Sequence, residues 1–285
     1  SIIFKGEQYG LHTRVFVTQK GNPTYEGKEI ALGFAEYEAF PFDMKIHVVA
    51  SEQAGYFQVV FKALEQMDPE KFEGHEYHLS MGMVQLVGRK MSSRTGDVLT
   101  VDELLDKVKE AAGEQFKEEK EVADRDKVLE QIVIGAVKYA ILKGGVRQDA
   151  KFDIETSVSL DGNSGPYIQY TYARTQSVVG KAQSTGLKPQ LSQDYTVLED
   201  EKKLMQKIAQ FPEIVESAAE NYAPNTICEY LFELAQLFNN FYQKYRILNA
   251  NSDPEKEFRL ALTQGVGVIL RQGLYLLGIQ APEKM

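Results

Sequence analysis

The chain has 285 residues, 43% of them hydrophobic and 26% charged, an ordinary globular composition long enough for one large domain or two of usual size. Its single cysteine, Cys228, excludes an internal disulfide and fits a reducing compartment, and the sequence shows neither a signal peptide nor an apolar run near the roughly 20 residues that cross a bilayer. A net charge of -9 argues against nucleic acid as a partner, but residues 161–285 hold 12 Lys/Arg against 14 Asp/Glu, so this half is nearly neutral and has room for a basic face.

The first part of the chain reads as α/β. Val15-Phe16-Val17-Thr18 is a short β-rich run, closed by the turn Lys20-Gly21-Asn22-Pro23. Glu26–Glu38 has helical spacing at Ile30, Phe34 and Tyr37. Lys45–Ala50 has few polar interruptions and predicts a buried strand of a parallel sheet. Gly55–Met67 is helical, with Phe57, Val60, Phe61 and Leu64 on one face. Residues 76–87 are strand material. Thr100 followed by Asp102 and Glu103 predicts an N-capped helix to about Ala112. Residues 113–126 are dominated by charge and read as an exposed helix or a linker. Val128–Leu142 is again helical and stops at Gly144-Gly145, and Lys151–Leu160 reads as extended. Helices are then predicted at 165–184, 199–220, 224–248 and 255–277, joined by Gly-, Pro-, Asn- and Ser-containing connections.

The run Gly88-Arg89-Lys90-Met91-Ser92-Ser93-Arg94-Thr95-Gly96 carries the clearest chemistry. It places three cations and the hydroxyls of Ser92 and Ser93 on a segment bounded by glycines, directly after an apolar strand. Adenylyl transfer to a carboxylate needs mobile positive charge on the β- and γ-phosphates as pyrophosphate leaves, and such a loop supplies it. A solvated basic turn has the same composition, so the run alone leaves both readings open. His75 and His78 stand without cysteine or carboxylate at ligand spacing and make no metal site.

This loop resembles the KMSKS loop of class I aminoacyl-tRNA synthetases. From residue 15 onward the chain resembles the arginyl-tRNA synthetases over almost its whole length. The resemblance implies that Lys90, Ser92, Ser93 and Arg94 carry the catalytic phosphate contacts, and that Lys90, Met91 and His78 line the ATP site. Tyr25-Glu26-Gly27-Lys28-Glu29 is similar to the family stretch in which a Tyr and an acidic residue four positions on grip the substrate guanidinium. The spacing puts Tyr25 and Glu29 on one helix face, and a carboxylate accepts two N–H bonds from the planar fork of arginine. The family usually has Asp where Glu29 stands. His47-Val48-Val49-Ala50-Ser51-Glu52-Gln53 is similar to the family strand ending in a Gln that touches arginine, which implies the same for Gln53. The family commonly has His a few residues later, where this chain has Tyr56 and Phe57. Without the resemblance, Tyr25 and Glu29 also suit a solvated helix face, Gln53 a loop amide, and His78 ordinary strand packing.

Leu160-Asp161-Gly162-Asn163-Ser164-Gly165-Pro166-Tyr167-Ile168-Gln169-Tyr170-Thr171-Tyr172-Ala173-Arg174 is similar to the segment opening the family's anticodon-binding domain. Ser164 suits an N-cap and Pro166 a first turn. Tyr167, Tyr170 and Arg174 then share a face that could stack and pair with RNA, or equally pack on another domain. Phe238–Tyr242, with Tyr245 and Arg246, resembles a later helix of the same domain; its aromatics are mostly core, and Tyr242, Tyr245 and Arg246 are its predicted tRNA contacts.

The expected architecture is therefore the C-terminal half of an α/β Rossmann-type catalytic domain, residues 1–120, followed by an all-α helical-bundle anticodon-binding domain, residues 121–285. The family's HIGH-like motif is not found, and the chain opens on Ser1 in strand-like sequence. Both features predict a portion of a longer synthetase, inactive by itself. The implied partners are L-arginine, ATP with Mg2+, and an arginine tRNA. A cytoplasmic monomer without membrane contact or tightly bound cofactor is expected. The alternative is a stand-alone tRNA-binding module that has lost the chemistry.

Overall fold

The computed structural model describes residues 1–88, 100–116, 124–190 and 195–285. They form two compact units, Ser1–Met83 with Arg147–Asp149, and Val84–Val146 with Ala150–Met285.

In the first unit, β1 (Ile2–Phe4) pairs antiparallel with β2 (Arg14–Val17). Helix α1 (Tyr25–Ala39) follows, then β3 (Lys45–Ala50), α2 (Ala54–Met67), the single turn α3 (Pro69–Phe72) and β4 (Glu76–Met81). Strands β3 and β4 are parallel, in register from Lys45 opposite Glu76 to Ala50 opposite Met81, with α2 as the crossover that parallel pairing requires. The apolar stripe of α2 supplies Val59, Val60 and Leu64 to a core shared with Phe16, Ile30 and Phe72, and Phe34 of α1 meets Phe72 edge-on at 5.0 Å. On the α2 side of β3, His47 packs against Phe57 and Phe61 at 4.9 and 5.0 Å.

Strand β3 is not buried on both faces as its composition suggests. Ile46 and Val48, on the face away from His47, are 39% and 57% exposed. Apolar composition reports the capacity for burial, and among the described residues it is the His47 face of this two-stranded sheet that packs on a helix. The strand expected over 76–87 is also interrupted. Gly82 lies against the carbonyl of Gln148, where a Cβ would overlap the oxygen, and the Met83 amide donates to Asp149 Oδ1 at 2.8 Å. The chain resumes as β5 (Val84–Leu86), which belongs to the second unit and pairs parallel with β6 (Ala150–Phe152).

The rest of the second unit is helical: α4 (Val101–Gln115), α5 (Arg125–Leu142), α6 (Ile154–Val158), α7 (Gly165–Ser184), α8 (Glu199–Ala209), α9 (Phe211–Glu220), α10 (Pro224–Lys244) and α11 (Asp253–Leu276). Thr100 caps α4 in a full capping box, accepting from the Glu103 amide while Glu103 reaches back to the Thr100 amide. Two expectations change here. Residues 154–158 are helical because the Asp153 carboxylate caps them, accepting from the Thr156 amide at 2.8 Å. The helix expected over 199–220 is two helices, since Pro212 can start a helix but not continue one.

One core joins α4, α5, α6, β5 and β6 through Val108, Ala112, Ile132, Val133 and Phe152; a larger one joins α7 to α11 through residues such as Tyr172, Leu204, Leu231, Phe238 and Leu270. Helix α4 packs on α5 within this unit. Beyond α11, the Gln280 carbonyl accepts from Gln169 of α7 at 2.7 Å, the Gln280 side chain accepts from Gln131 of α5 at 2.7 Å, and Met285 packs into the smaller core. Among the described residues no helix is long and apolar enough to cross a membrane.

Helices α5 and α7 approach to backbone contact. A Cβ at Gly165 would overlap the Gly135 carbonyl and lie 3.0 Å from the Tyr139 Cβ. Gly165→Ala is therefore expected to lower stability by about 1–3 kcal/mol, read as a lower urea midpoint at unchanged slope. An unchanged midpoint would show that the two helices separate freely.

Candidate functional site

The Thr24 hydroxyl donates to the carbonyls of Val15 (2.7 Å) and Phe16 (3.1 Å) and accepts from the Gly27 amide at 3.4 Å. This cap ties the first turn of α1 to β2 and places Tyr25 and Glu29 one turn apart on the same face. Tyr25 is 82% exposed and Glu29 is half-buried. Glu26, between them in sequence, is already engaged: Arg14 Nη1 donates to Glu26 Oε1 at 2.8 Å. Burial alone would raise the Glu26 carboxyl, but hydrogen bonds from Arg14, from its own backbone and from Thr24 outweigh it and hold the group below the usual carboxylate range. Among the described residues no cation forms an ion pair with Glu29.

Tyr56, in the first turn of α2, closes this cluster. Its hydroxyl donates to the Tyr25 carbonyl at 3.3 Å and reaches Glu29 Oε2 at 3.5 Å, and the Arg14 guanidinium lies 5.7 Å from its ring centroid. Burial first, then the negative charges of Glu29 and Glu26, push the phenol well above its ordinary range, so it is a proton donor at any physiological pH. Gln53 is exposed at the end of the short 3-10 turn Ser51–Gln53, directly after β3. The structure thus brings Tyr25, Glu29 and Tyr56 together and sets Gln53 one turn before Tyr56. His78 is engaged within β4: its Nε2 lies 3.0 Å from the Val49 carbonyl, and its ring stacks on Phe57 at 4.9 Å. Lys90, Met91, Ser92, Ser93 and Arg94 lie outside the described residues.

In the second unit, Ser164 caps α7 by accepting from the Tyr167 amide at 3.1 Å, with Pro166 in the first turn. Arg174 then lies between two aromatic faces, 4.8 Å from the Tyr170 centroid and 5.1 Å from that of Tyr242, and donates to Asn239 Oδ1. Each such cation–ring contact is worth about 0.5–1 kcal/mol at a partly exposed site. Asn239, 8% exposed, donates in turn to the Tyr167 hydroxyl at 3.0 Å and to Thr171 Oγ1 at 2.9 Å. Tyr167, Tyr170, Arg174 and Tyr242 therefore form one set around an amide that sequence reasoning does not single out. The available signal was a buried-stripe position of α10 occupied by Asn amid Phe238, Phe241 and Leu234.

Tyr245 and Arg246 belong to a different set. The Tyr245 hydroxyl donates to Asp200 Oδ2 at 3.0 Å, Arg259 stacks on its ring at 5.0 Å, and the Arg246 carbonyl accepts from Arg259 Nη1 at 2.9 Å. Arg259 is 4% exposed. Its Nε donates to Glu201 Oε1 at 2.8 Å and its Nη2 lies 2.6 Å from Glu255 Oε1. The Tyr195 hydroxyl is shared between the two Glu201 oxygens at 2.9 and 3.0 Å; burial, then this carboxylate, push the phenol up to about 12. Such a group is tolerated in a core only when each charge keeps its partners. Arg259→Met leaves the Glu201 carboxylate buried and uncompensated and is expected to cost about 3–5 kcal/mol in urea unfolding; a loss below about 1 kcal/mol is what a water-accessible Glu201 would give.

Residues 2–154 match the family of tRNA synthetases class I (R), catalytic domain, and residues 168–285 match the DALR anticodon binding domain. Over 283 residues the chain is 33% identical to an arginine–tRNA ligase of Porphyromonas gingivalis and 34% identical to one of Bacteroides thetaiotaomicron, covering 97% of this chain and 47% of each relative. Its structure superposes on the Thermus thermophilus arginyl-tRNA synthetase with a TM-score of 0.82 and 25% identity, over 96% of this chain and 51% of that one. The chain thus spans about half the length of the curated relatives it matches. A class I catalytic segment precedes a helical anticodon-binding domain, the order read from the sequence, and the chain belongs to the arginyl-tRNA synthetase family of class I.

Proposed function

We propose that this chain supplies the arginine-holding, pyrophosphate-side and anticodon-reading parts of an enzyme that joins arginine to ATP, giving arginyl-adenylate and pyrophosphate, and then passes the arginyl group to an arginine tRNA. The observation that carries the proposal is the Glu29 carboxylate. It is half-buried beside the exposed Tyr25 and has no cationic partner among the described residues, while its neighbour Glu26 is taken by Arg14. A planar guanidinium completes such a group by donating two parallel N–H bonds. Gln53, after the C-terminal end of a parallel strand, stands where α/β folds bind their ligands.

Lys90, Ser92, Ser93 and Arg94 are assigned to the phosphates of ATP, which Mg2+ accompanies, with Met91 and His78 lining the nucleotide site. They would stabilise charge on the departing pyrophosphate. Tyr167, Tyr170, Arg174, Tyr242, Tyr245 and Arg246 are assigned to the tRNA, where aromatic faces stack on splayed bases and guanidinium groups neutralise phosphate. By function the division is into a catalytic part, residues 1–120, and an anticodon-binding part, residues 121–285. We assign the protein to the cytoplasm as a monomer.

The test is Glu29→Ala in the full-length gene product. The KM for arginine in ATP–pyrophosphate exchange is expected to rise at least about tenfold, the scale of one lost charge-assisted hydrogen bond, with the KM for ATP unchanged; an unaltered arginine KM removes Glu29 from the site. The 285 residues by themselves are expected to bind an arginine tRNA without catalysing exchange, and robust exchange by them would overturn that. In tRNA titrations, Tyr242→Ala is expected to cost about 1–3 kcal/mol, one stacked base, and Arg246→Ala to reduce the salt slope by about 1. Unchanged affinity with an unchanged circular dichroism spectrum makes both residues bystanders.

A further inference from the structure

The Glu29 carboxylate is held at a distance from its own backbone by two methylenes, and each added rotatable bond spreads a carboxylate over more orientations. Recognition of a planar fork depends on both oxygens being presented in one plane, so something must narrow that spread. Among the described residues, the Tyr56 hydroxyl is the donor placed against it. The Tyr56 hydroxyl reaches Glu29 Oε2 at 3.5 Å and also donates to the Tyr25 carbonyl at 3.3 Å. One donor therefore touches both residues of the α1 face.

The phenol is itself fixed. Its ring meets Phe57 edge-on, at 5.1 Å and 82°, and Phe57 is buried in turn. On its other partners' side, the Arg14 guanidinium lies 5.7 Å from the centroid while its Nη1 is bonded to Glu26. Arg14 thus engages Glu26, while Glu29 has the Tyr56 hydroxyl. An ionised carboxylate offers about four lone-pair sites. A hydroxyl on one of them leaves the opposite oxygen and the remaining sites for two N–H donors from outside.

We infer that Tyr56 is a positioning residue of the arginine site: it orients the Glu29 carboxylate through its hydroxyl and thereby sets the affinity for the guanidinium group. This rests on the reading of Glu29 given above, and acts through Glu29 rather than on the substrate.

The experiment is a double-mutant cycle in the full-length gene product, with free L-arginine as the probe in titration calorimetry and arginine and ATP as varied substrates in pyrophosphate exchange. Tyr56→Phe keeps the ring and removes only the hydroxyl. Its arginine Kd and KM are expected to rise about 3–10-fold, the scale of one modest hydrogen bond, while the KM for ATP stays within about twofold. In a Glu29→Ala background, Tyr56→Phe is expected to change the arginine Kd by less than about twofold, because the group it orients is gone. A general packing role would instead weaken both backgrounds equally, which overturns the inference. If Glu29→Ala weakens arginine binding but Tyr56→Phe does not, the inference fails and the reading of Glu29 stands. If Glu29→Ala itself leaves arginine binding unchanged, the reading of Glu29 fails and takes the inference with it.

Discussion

The arrangement of the helical unit depends on the backbone contact between α5 and α7 at Gly135 and Gly165. Helices normally stand 8–10 Å apart because side chains separate them. Here α7 is drawn in until half of its 20 residues are buried, and several of these are polar. Gln169 donates to the Gln131 and Gln280 carbonyls at 3.0 and 2.7 Å. Thr171 and Thr175 donate back to the Tyr167 and Tyr172 carbonyls at 2.8 and 2.7 Å. The threonine bonds stay within α7, but rotating the helix would break both Gln169 bonds and the bond that Thr171 accepts from Asn239 of α10, leaving buried groups unpaired at a cost of about 1–3 kcal/mol each. The helix has one orientation, and Tyr167, Tyr170 and Arg174 inherit it. The bond from Gln169 to the Gln280 carbonyl also fixes the tail after α11, which is how Met285 comes to fill a core built mainly by α4 and α5.

What was legible in the sequence was local. Thr100 and Ser164 announced helix starts because capping is chemistry between near neighbours, and the glycines after Leu142 marked where α5 ends, although Lys143 is its C-cap. Periodicity located α1, α2 and α7 to within a residue or two. The failures have equally local causes. Pro212 sits where one apolar stripe passes into another, so hydrophobic spacing carried the predicted helix through a residue that cannot continue it. Asp153 caps a helix too short for periodicity to register. The exposure of Ile46 and Val48 could not be read from β3 itself, because it depends on what lies against the sheet.

The site follows the same rule. The Tyr25–Glu29 pair was picked out by the family resemblance, and its i, i+4 spacing added only that both residues share a helix face. The bond from Tyr56 to Glu29 spans 27 residues, that from Arg174 to Asn239 spans 65, and that from Arg259 to Glu201 spans 58. No pattern within a segment reports such pairs. Asn239, Glu201 and Arg259 could at most be suspected as polar residues interrupting apolar faces, a signal that many solvent-exposed positions also give.

The chain surrounds three of its own guanidinium groups in three ways, and the differences bear on the fourth that it is proposed to bind. Arg259 is buried against two carboxylates and a carbonyl; removing it would strand Glu201 in the core. Arg174 has an amide and two rings and is half-buried. Arg14 has one carboxylate and one ring near the surface. A ligand site must also be stable when empty, so its carboxylate cannot be as dry as Glu201, where an unpaired charge would cost several kcal/mol. Nor can it be fully solvated, since an exposed pair gains only about 0–1 kcal/mol. Glu29, half-buried and steadied by a neutral hydroxyl rather than a cation, lies between these limits. A neutral tether keeps the carboxylate's charge available for an incoming guanidinium, which a lysine or arginine in the place of Tyr56 would have spent.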